Sequence, residues 1–194
     1  MEKVSYALGL SLGNNLKGSG VASLDYAQLA KGIQDVMEQK KPEMSYEEAQ
    51  TVISDFFQSL QAEIGGKAQS EGIAFLEENS KRTEVVTLAS GLQYEILTKG
   101  TGATPKASET VKVHYHGTLV DGNVFDSSVN RGEPATFGVT QVISGWVEAL
   151  QLMPVGSKWK LFIPSELAYG AQGAGQAIAP HSTLIFEVEL LDII

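Results

Sequence analysis

Five of the six prolines, Pro105, Pro134, Pro154, Pro164 and Pro180, fall after Leu88, and only Pro42 precedes it. A proline in a helix interior removes a backbone donor and clashes with the preceding turn. The first 87 residues are therefore free to be almost wholly helical, while the remainder is cut into short pieces. Glycine follows the same trend, with 8 before Leu88 and 12 after it. The expected organisation is a helical part over 1–87 and a turn-rich β part over 88–194, an α+β class. Charge does not mark the boundary, being −5 before Leu88 (8 basic, 13 acidic) and −4 after it (6 basic, 10 acidic).

Composition removes several function classes. A chain of 194 residues with 43% hydrophobic content is an ordinary globular protein of one or two domains. It contains no cysteine, which excludes a disulfide framework, a thiolate zinc site and a cysteine nucleophile. A net charge of −9 offers no basic field for phosphates, so no nucleic-acid partner is expected. No apolar run approaches the roughly 20 residues needed to cross a bilayer, so no membrane partner is expected. MEKVSYALGL lacks a basic stretch followed by an apolar one and a cleavage site. That favours a cytoplasmic location, with a periplasmic or exported one as the alternative should a leader have been removed.

The helical part has three expected elements. Val4, Leu8 and Leu12 step by four with Gly9 and Gly13 beside them, so an apolar face adjoins a very small one. Lys17-Gly18-Ser19-Gly20 ends that helix. A second helix starts near Ser23 or Asp25, presents Tyr26, Leu29, Ile33, Val36 and Met37, and stops at Lys40-Lys41-Pro42. Ser45-Tyr46-Glu47-Glu48 reads as a capping box opening a long helix. Val52, Ile53, Phe56, Phe57, Leu60 and Ile64 make its face dense, but beyond Gly65-Gly66 the pattern thins to Ala68, Ile73, Phe75 and Leu76. A helix to Asn79 would run roughly 50 Å. Two short neighbours cannot cover it, and so small a core lacks independent stability. A homodimer through the N-terminal helices is expected, against a monomeric three-helix cap on the β part. The segment beyond Gly66 is expected to be a solvated stalk, kinked at the glycine pair or at Gly72.

The second part alternates with period two. Val111, Val113 and Tyr115 share one face and Lys112, His114 and His116 the other, with Asp121-Gly122 where a hairpin would turn. In the last strand Leu184, Phe186, Val188 and Leu190 oppose Glu187 and Glu189. Between them Val142, Trp146, Val147 and Leu150 suit a short helix laid on a sheet.

VKVHYHGTLVDGNVFDSS (111–128), QVISGWVEALQLMPVGSKWKLFIP (141–164) and LAYGAQGAGQAIAPHSTLIFEVELLDI (167–193) resemble the FKBP family of peptidyl-prolyl cis/trans isomerases, in that order and spacing. The first part is similar to the dimerisation region of bacterial members related to macrophage infectivity potentiator, through Tyr6-Ala7-Leu8-Gly9 and Gly72-Ile73-Ala74-Phe75-Leu76. The resemblance implies an antiparallel β half-barrel wrapped on a short helix, preceded by a helical dimerisation segment and a long stalk helix. It implies a pocket of Tyr115, Phe125, Asp126, Val142, Ile143, Trp146, Tyr169 and Phe186, with Phe137 as a further wall and Arg131 paired with Asp126. Gln141 stands where some members carry glutamate, and Ile178 precedes Pro180-His181 in a flap. Ala135 and Ala179 depart from the aromatic residue and the proline frequent in the family, on the rim where sequence preference and macrolide affinity would be set. The implied partners are proline-containing polypeptides and macrolide immunosuppressant-type inhibitors. No cofactor is implied.

The chemistry is consistent with that reading. Rotation about X–Pro meets a barrier of about 18–20 kcal/mol because amide resonance must be broken, and no nucleophile is needed. The twisted amide is less polar than the planar one, so a dry aromatic pocket favours it. Tyr169 on a flap would donate to the peptide carbonyl, and Asp126 would order the pocket through Arg131 or act on the carbonyl carbon. Plainer readings stand beside these: aromatics as core, Asp126 and Arg131 as a surface pair of little worth, and His114-x-His116 as solvated side chains rather than a metal site. Gly170, Gly173 and Gly175 lack the lysine and hydroxyl of a phosphate loop and read as a flap. The expected function is isomerisation of X–Pro bonds in folding polypeptides, the alternative a dimeric chaperone that holds unfolded chains.

Overall fold

A computed structural model describes all of residues 1–194. The chain forms two compact units, Met1–Glu63 and Ile64–Ile194.

The first unit contains α1 (Glu2–Gly18), α2 (Tyr26–Met37) and the opening turns of α3 (Tyr46–Asn79). Asp25 caps α2 by accepting from the amides of Ala27 and Gln28 at 2.9 and 3.0 Å. Ser45 caps α3 by accepting from the Glu48 amide at 3.1 Å, one half of the expected capping box. Gly20, with φ of +86°, takes the left-handed conformation that turns the chain out of α1. These ends satisfy the helices locally, yet nothing closes around them. Val21 is the one buried residue of the unit, while Leu8, Val36 and Phe56 stand 67%, 56% and 45% exposed. Between α1 and α2 lies an open groove of about 500 Å³ lined by Gly9, Leu12, Gly13, Leu16, Leu29 and Ile33.

The second unit is a wholly antiparallel sheet. Its strands are β1 (Val85–Thr87), β2 (Gln93–Thr98), β3 (Thr110–Leu119), β4 (Val124–Ser127), β5 (Ala135–Gly138), β6 (Lys158–Ile163) and β7 (Leu184–Ile193). They run in the order β1-β2-β6-β7-β3-β4, with β5 also paired to β3. The short helices α4 (Ser128–Arg131) and α5 (Ser144–Leu150) complete it. The alternation read from the sequence holds: Val111, Val113 and Tyr115 are buried, as are Leu184, Phe186, Val188 and Leu190. They meet Trp146, Ala149 and Leu150 of α5 in one core on one face of the sheet. Gly145 lets that helix approach closely, because a Cβ there would lie 2.6 Å from Ile163.

The opposite face of the sheet differs from the expectation. The segment beyond Gly66 is not a solvated stalk, and α3 runs unbroken to Asn79 through all three glycines. Gly65, Gly72 and Asn79 are buried, and Phe75 packs against Phe162 with ring centroids 5.8 Å apart. Phe162 is buried outside the main core, so this helix face covers it. Asn79 Nδ2 donates to Gln93 Oε1 at 2.8 Å, and Gln93 Nε2 donates to the Leu76 carbonyl at 3.0 Å. The physical reason is that small residues serve as contact positions here: Gly65, Ala68, Gly72, Phe75 and Asn79 share a face at three-to-four spacing. For the same reason the compact units divide between Glu63 and Ile64, well before the 87/88 boundary drawn from proline content.

Candidate active site

The core face of the sheet ends in a cavity of about 660 Å³, within the range of small-ligand sites. Each wall comes from a different element. β3 supplies Tyr115, β4 Phe125 and Asp126, β5 Phe137, and β7 Phe186. Gln141, Val142 and Ile143 lead into α5, which supplies Trp146 as the floor. Tyr169, Ala174, Gly175, Ala177 and Ile178 close the remaining side from the 169–183 flap. The arrangement depends on one missing side chain. A Cβ on Gly117 would lie 2.7 Å from the Phe125 ring and 2.8 Å from that of Phe186, so only glycine lets the two rings meet across β3.

The rings pack edge to face. Trp146 and Phe186 are 5.2 Å apart at 81°, Tyr115 and Trp146 5.5 Å at 83°, Phe125 and Phe186 5.3 Å at 86°, and Phe137 and Trp146 6.0 Å at 89°. Such pairs favour this geometry by about 0.5–1.5 kcal/mol each beyond burial. The rings are thus held by one another, leaving the cavity side free. The buried Trp146 Nε1 has no hydrogen-bond partner.

One polar cluster interrupts the wall. The Tyr115 hydroxyl donates to Asp126 Oδ2 at 2.6 Å and accepts from Arg131 Nη2 at 2.8 Å. Arg131 Nη1 also donates to Asp126 Oδ1, and its guanidinium lies 5.5 Å from the Tyr115 ring centroid. The turn that brings Arg131 back is locally encoded. Ser127 caps α4 through the Asn130 amide at 3.1 Å, and Gly132 ends the helix with φ of +77°. Burial pushes the Tyr115 phenol up, and its bond to Asp126 adds to that. Burial also pushes the Asp126 carboxyl up, but the Tyr115 hydrogen bond and the Arg131 guanidinium outweigh it and hold the group below its ordinary range. The site therefore carries an ionised carboxylate and a neutral phenol. Because Asp126 and Arg131 are 45% and 51% exposed, their pairing is screened by solvent.

Of the residues singled out from the sequence, Tyr115, Phe125, Asp126, Phe137, Gln141, Val142, Ile143, Trp146, Tyr169, Ile178 and Phe186 line the cavity. Arg131 does not, and reaches it through Asp126 and Tyr115. His181 also stands off the cavity: with φ of +60° it takes a backbone role, its N–H donating to the Gly170 carbonyl at 2.8 Å. Ala174, Gly175 and Ala177 are lining residues the sequence reading omitted, since nothing about small side chains in a glycine-rich loop separates wall from linker. Asp126 bonds to Tyr115 as well as to Arg131, the only partner expected for it from the sequence. His114 and His116 point their Nδ1 atoms at Ser128 and Ser127, at 3.0 and 2.9 Å. Those contacts pin β3 to the start of α4.

Comparison with known proteins places the chain. Residues 102–191 match the family model of FKBP-type peptidyl-prolyl cis-trans isomerases, and residues 1–96 match that of the domain amino-terminal to them. The FKBP-type 22 kDa peptidyl-prolyl cis-trans isomerase of Escherichia coli is 48% identical, over 99% of this chain and 95% of its own length. The outer membrane protein MIP of Legionella longbeachae is 46% identical, over 99% of this chain and 85% of its own. The crystal structure of FkpA from Escherichia coli superposes with a TM-score of 0.75 at 40% identity, covering 98% of this chain and 95% of that one. Similarity of that depth runs through the helical part as well as the sheet, and the chain belongs to the FKBP-type peptidyl-prolyl cis-trans isomerases.

Proposed function

We propose that this isomerase works through the aromatic cavity, with Tyr115, Phe125, Asp126, Trp146, Tyr169 and Phe186 acting on the X–Pro bond and Phe137, Gln141, Val142, Ile143 and Ile178 holding the chain around it. The observation that carries the reading is the cage of edge-packed rings around a cavity large enough for a prolyl dipeptide, with no serine, threonine, cysteine, lysine or histidine in its lining. A proline ring set on Trp146 leaves water behind. The planar amide then loses the solvation that favours its charge-separated form, and the twisted state is relatively stabilised. Each tenfold acceleration needs only about 1.4 kcal/mol of such differential binding. Tyr169 donates to the peptide carbonyl, while Asp126, kept ionised, fixes Tyr115 as a wall and faces the carbonyl carbon. In a protease-coupled assay on an Ala-Leu-Pro-Phe peptide, Tyr169→Phe and Asp126→Ala lower kcat/KM while the domain remains folded at the assay temperature. Unchanged rates in both would refute the assignment.

The N-terminal unit works as a homodimerisation arm. Its apolar side chains are exposed in a single chain, and the α1–α2 groove presents an apolar, glycine-floored surface for a partner's helix. Light scattering is expected to give twice the 20.8 kDa chain mass, and Phe56→Asp to return it to one. A wild-type mass of a single chain would defeat the arm. Proline-containing polypeptides are the substrates, and macrolide-type inhibitors compete for the same cavity. The cytoplasmic location favoured by the sequence reading finds no support among the relatives, and the one named an outer membrane protein supports an exported, envelope location instead. Fractionation of the source cells tests it.

A further inference from the structure

The 169–183 flap, which supplies one wall of the cavity, is tied into a single piece. Ala174 and Ile178 exchange backbone bonds at 2.8 and 3.1 Å, His181 N–H donates to the Gly170 carbonyl, and Ser182 Oγ donates to the Ala179 carbonyl at 2.8 Å. A Cβ on Gly173 would collide with the Ile178 carbonyl, so the two limbs of the flap lie in contact. A segment so cross-linked moves as a unit, and its position depends on what supports it from behind. That support is α3. Gly65 abuts Pro180, where an added Cβ would come within 3.0 Å of the Pro180 Cβ, and a Cβ on Gly72 would strike Thr183 Oγ1. Pro180 lies two residues from Ile178, a lining residue. The helix itself is fixed to the sheet beyond these contacts, through Phe75 on Phe162 and Asn79 on Gln93.

We infer that Gly65 and Gly72 are positioning residues of the isomerase site: by letting α3 touch Pro180 and Thr183 directly, they set where Ala177 and Ile178 stand as the substrate-facing wall. The absence of side chains at these two positions is what brings the helix backbone against the flap. A methyl group at Gly65 pushes the flap at Pro180, and one at Gly72 pushes Thr183 where the flap joins β7, while Trp146 and Phe186 are braced by their packing on each other. Such a change alters how the peptide is gripped more than how its amide is twisted. The inference rests on the cavity being the isomerase site.

The experiment is steady-state kinetics of the full chain on prolyl peptides, with KM and kcat resolved. Gly72→Ala is expected to raise KM about fivefold with kcat within about twofold, and Gly65→Ala to raise it less. Thr183→Ala in the Gly72→Ala background removes the struck oxygen and restores most of the lost affinity, and KM raised in Gly72→Ala at temperatures well below its own thermal transition separates the effect from loss of stability. Gly66→Ala, with open space around it, leaves both constants unchanged. If Gly72→Ala fails to fold, Gly65→Ala alone decides. Wild-type KM in the folded glycine variants, with Ile178→Ala raising it, overturns the inference while leaving the site in place. Wild-type KM in Ile178→Ala as well overturns both.

Discussion

The two units of this chain solve the same problem of burial in opposite ways. Ile64–Ile194 encloses Leu92, Val113, Leu150, Leu161 and Leu190 completely and needs nothing further to keep them dry. Met1–Glu63 holds leucine, valine and phenylalanine in a similar proportion but encloses almost none of them. Helices without a core of their own have little independent stability, since most helix stability in proteins comes from packing of the apolar face. The difference teaches that a helical pattern in a sequence reports a face and says nothing about what covers it. In the sheet the cover is in the same chain, whereas nothing in a single chain covers the N-terminal faces.

The sharpest way to break that contrast is to cut within α3. A fragment starting at Ile64 keeps the helix face that covers Phe162 and is expected to melt near the full chain's C-terminal transition. One starting at Leu88 uncovers Phe162, at a cost on the order of 2–3 kcal/mol by area burial. Equal melting of the two would show that the α3 cover contributes nothing.

Truncating matched phenylalanines sharpens the same contrast. Phe162→Ala is expected to destabilise the sheet unit by about 3–5 kcal/mol, read by denaturant unfolding. Phe56→Ala leaves that transition alone and raises the dimer dissociation constant instead.

Within the site, Tyr115→Phe removes a hydroxyl held at 2.6 Å to Asp126. A loss of about 1 kcal/mol, or severalfold in kcat/KM, is expected, with Asp126→Asn similar.

The smallest effect is that of pH. Asp126 titrates below its ordinary 3.8 in the folded chain, so its contribution is present above that value and lost only as pH falls through the lowered one. Tyr115 titrates above its ordinary 10.0, so its contribution is complete below that value and lost as pH rises through the raised one. These two groups predict kcat/KM flat between the two ordinary values. A break near neutrality that vanishes in Asp126→Asn would contradict the assignment.

Much of this was legible in the residues. Period two in β3 and β7 set the buried face, because alternation leaves only one face apolar, and Trp146 and Phe186 followed from motif order. What escaped had no side chain to announce it. The packing of α3 on the flap runs through Gly65 and Gly72, which an apolar count scores as gaps, and its packing on the sheet partly through Asn79, which such a count scores as polar. The flap wall of Ala174, Gly175 and Ala177 was hidden in the same way. His181 stands off the cavity for a different reason: its φ of +60° places it in the turn that bonds back to Gly170, which a residue type does not reveal.

The strand order carries a consequence for how the molecule comes into being. β7 is an interior strand of the sheet, paired with β6 on one side and β3 on the other, and it supplies Phe186 to the cage. On the ribosome, β3 is made well before the strand that must lie beside it, the partners being 65 residues apart at Leu119–Leu184 (184 − 119) and 82 apart at Val111–Ile193 (193 − 111). Non-local pairing of this kind is slow to close. While it waits, the nascent chain exposes the very apolar strands that folding catalysts protect in others, and its N-terminal helices, dominated by local contacts, are ready to assemble first.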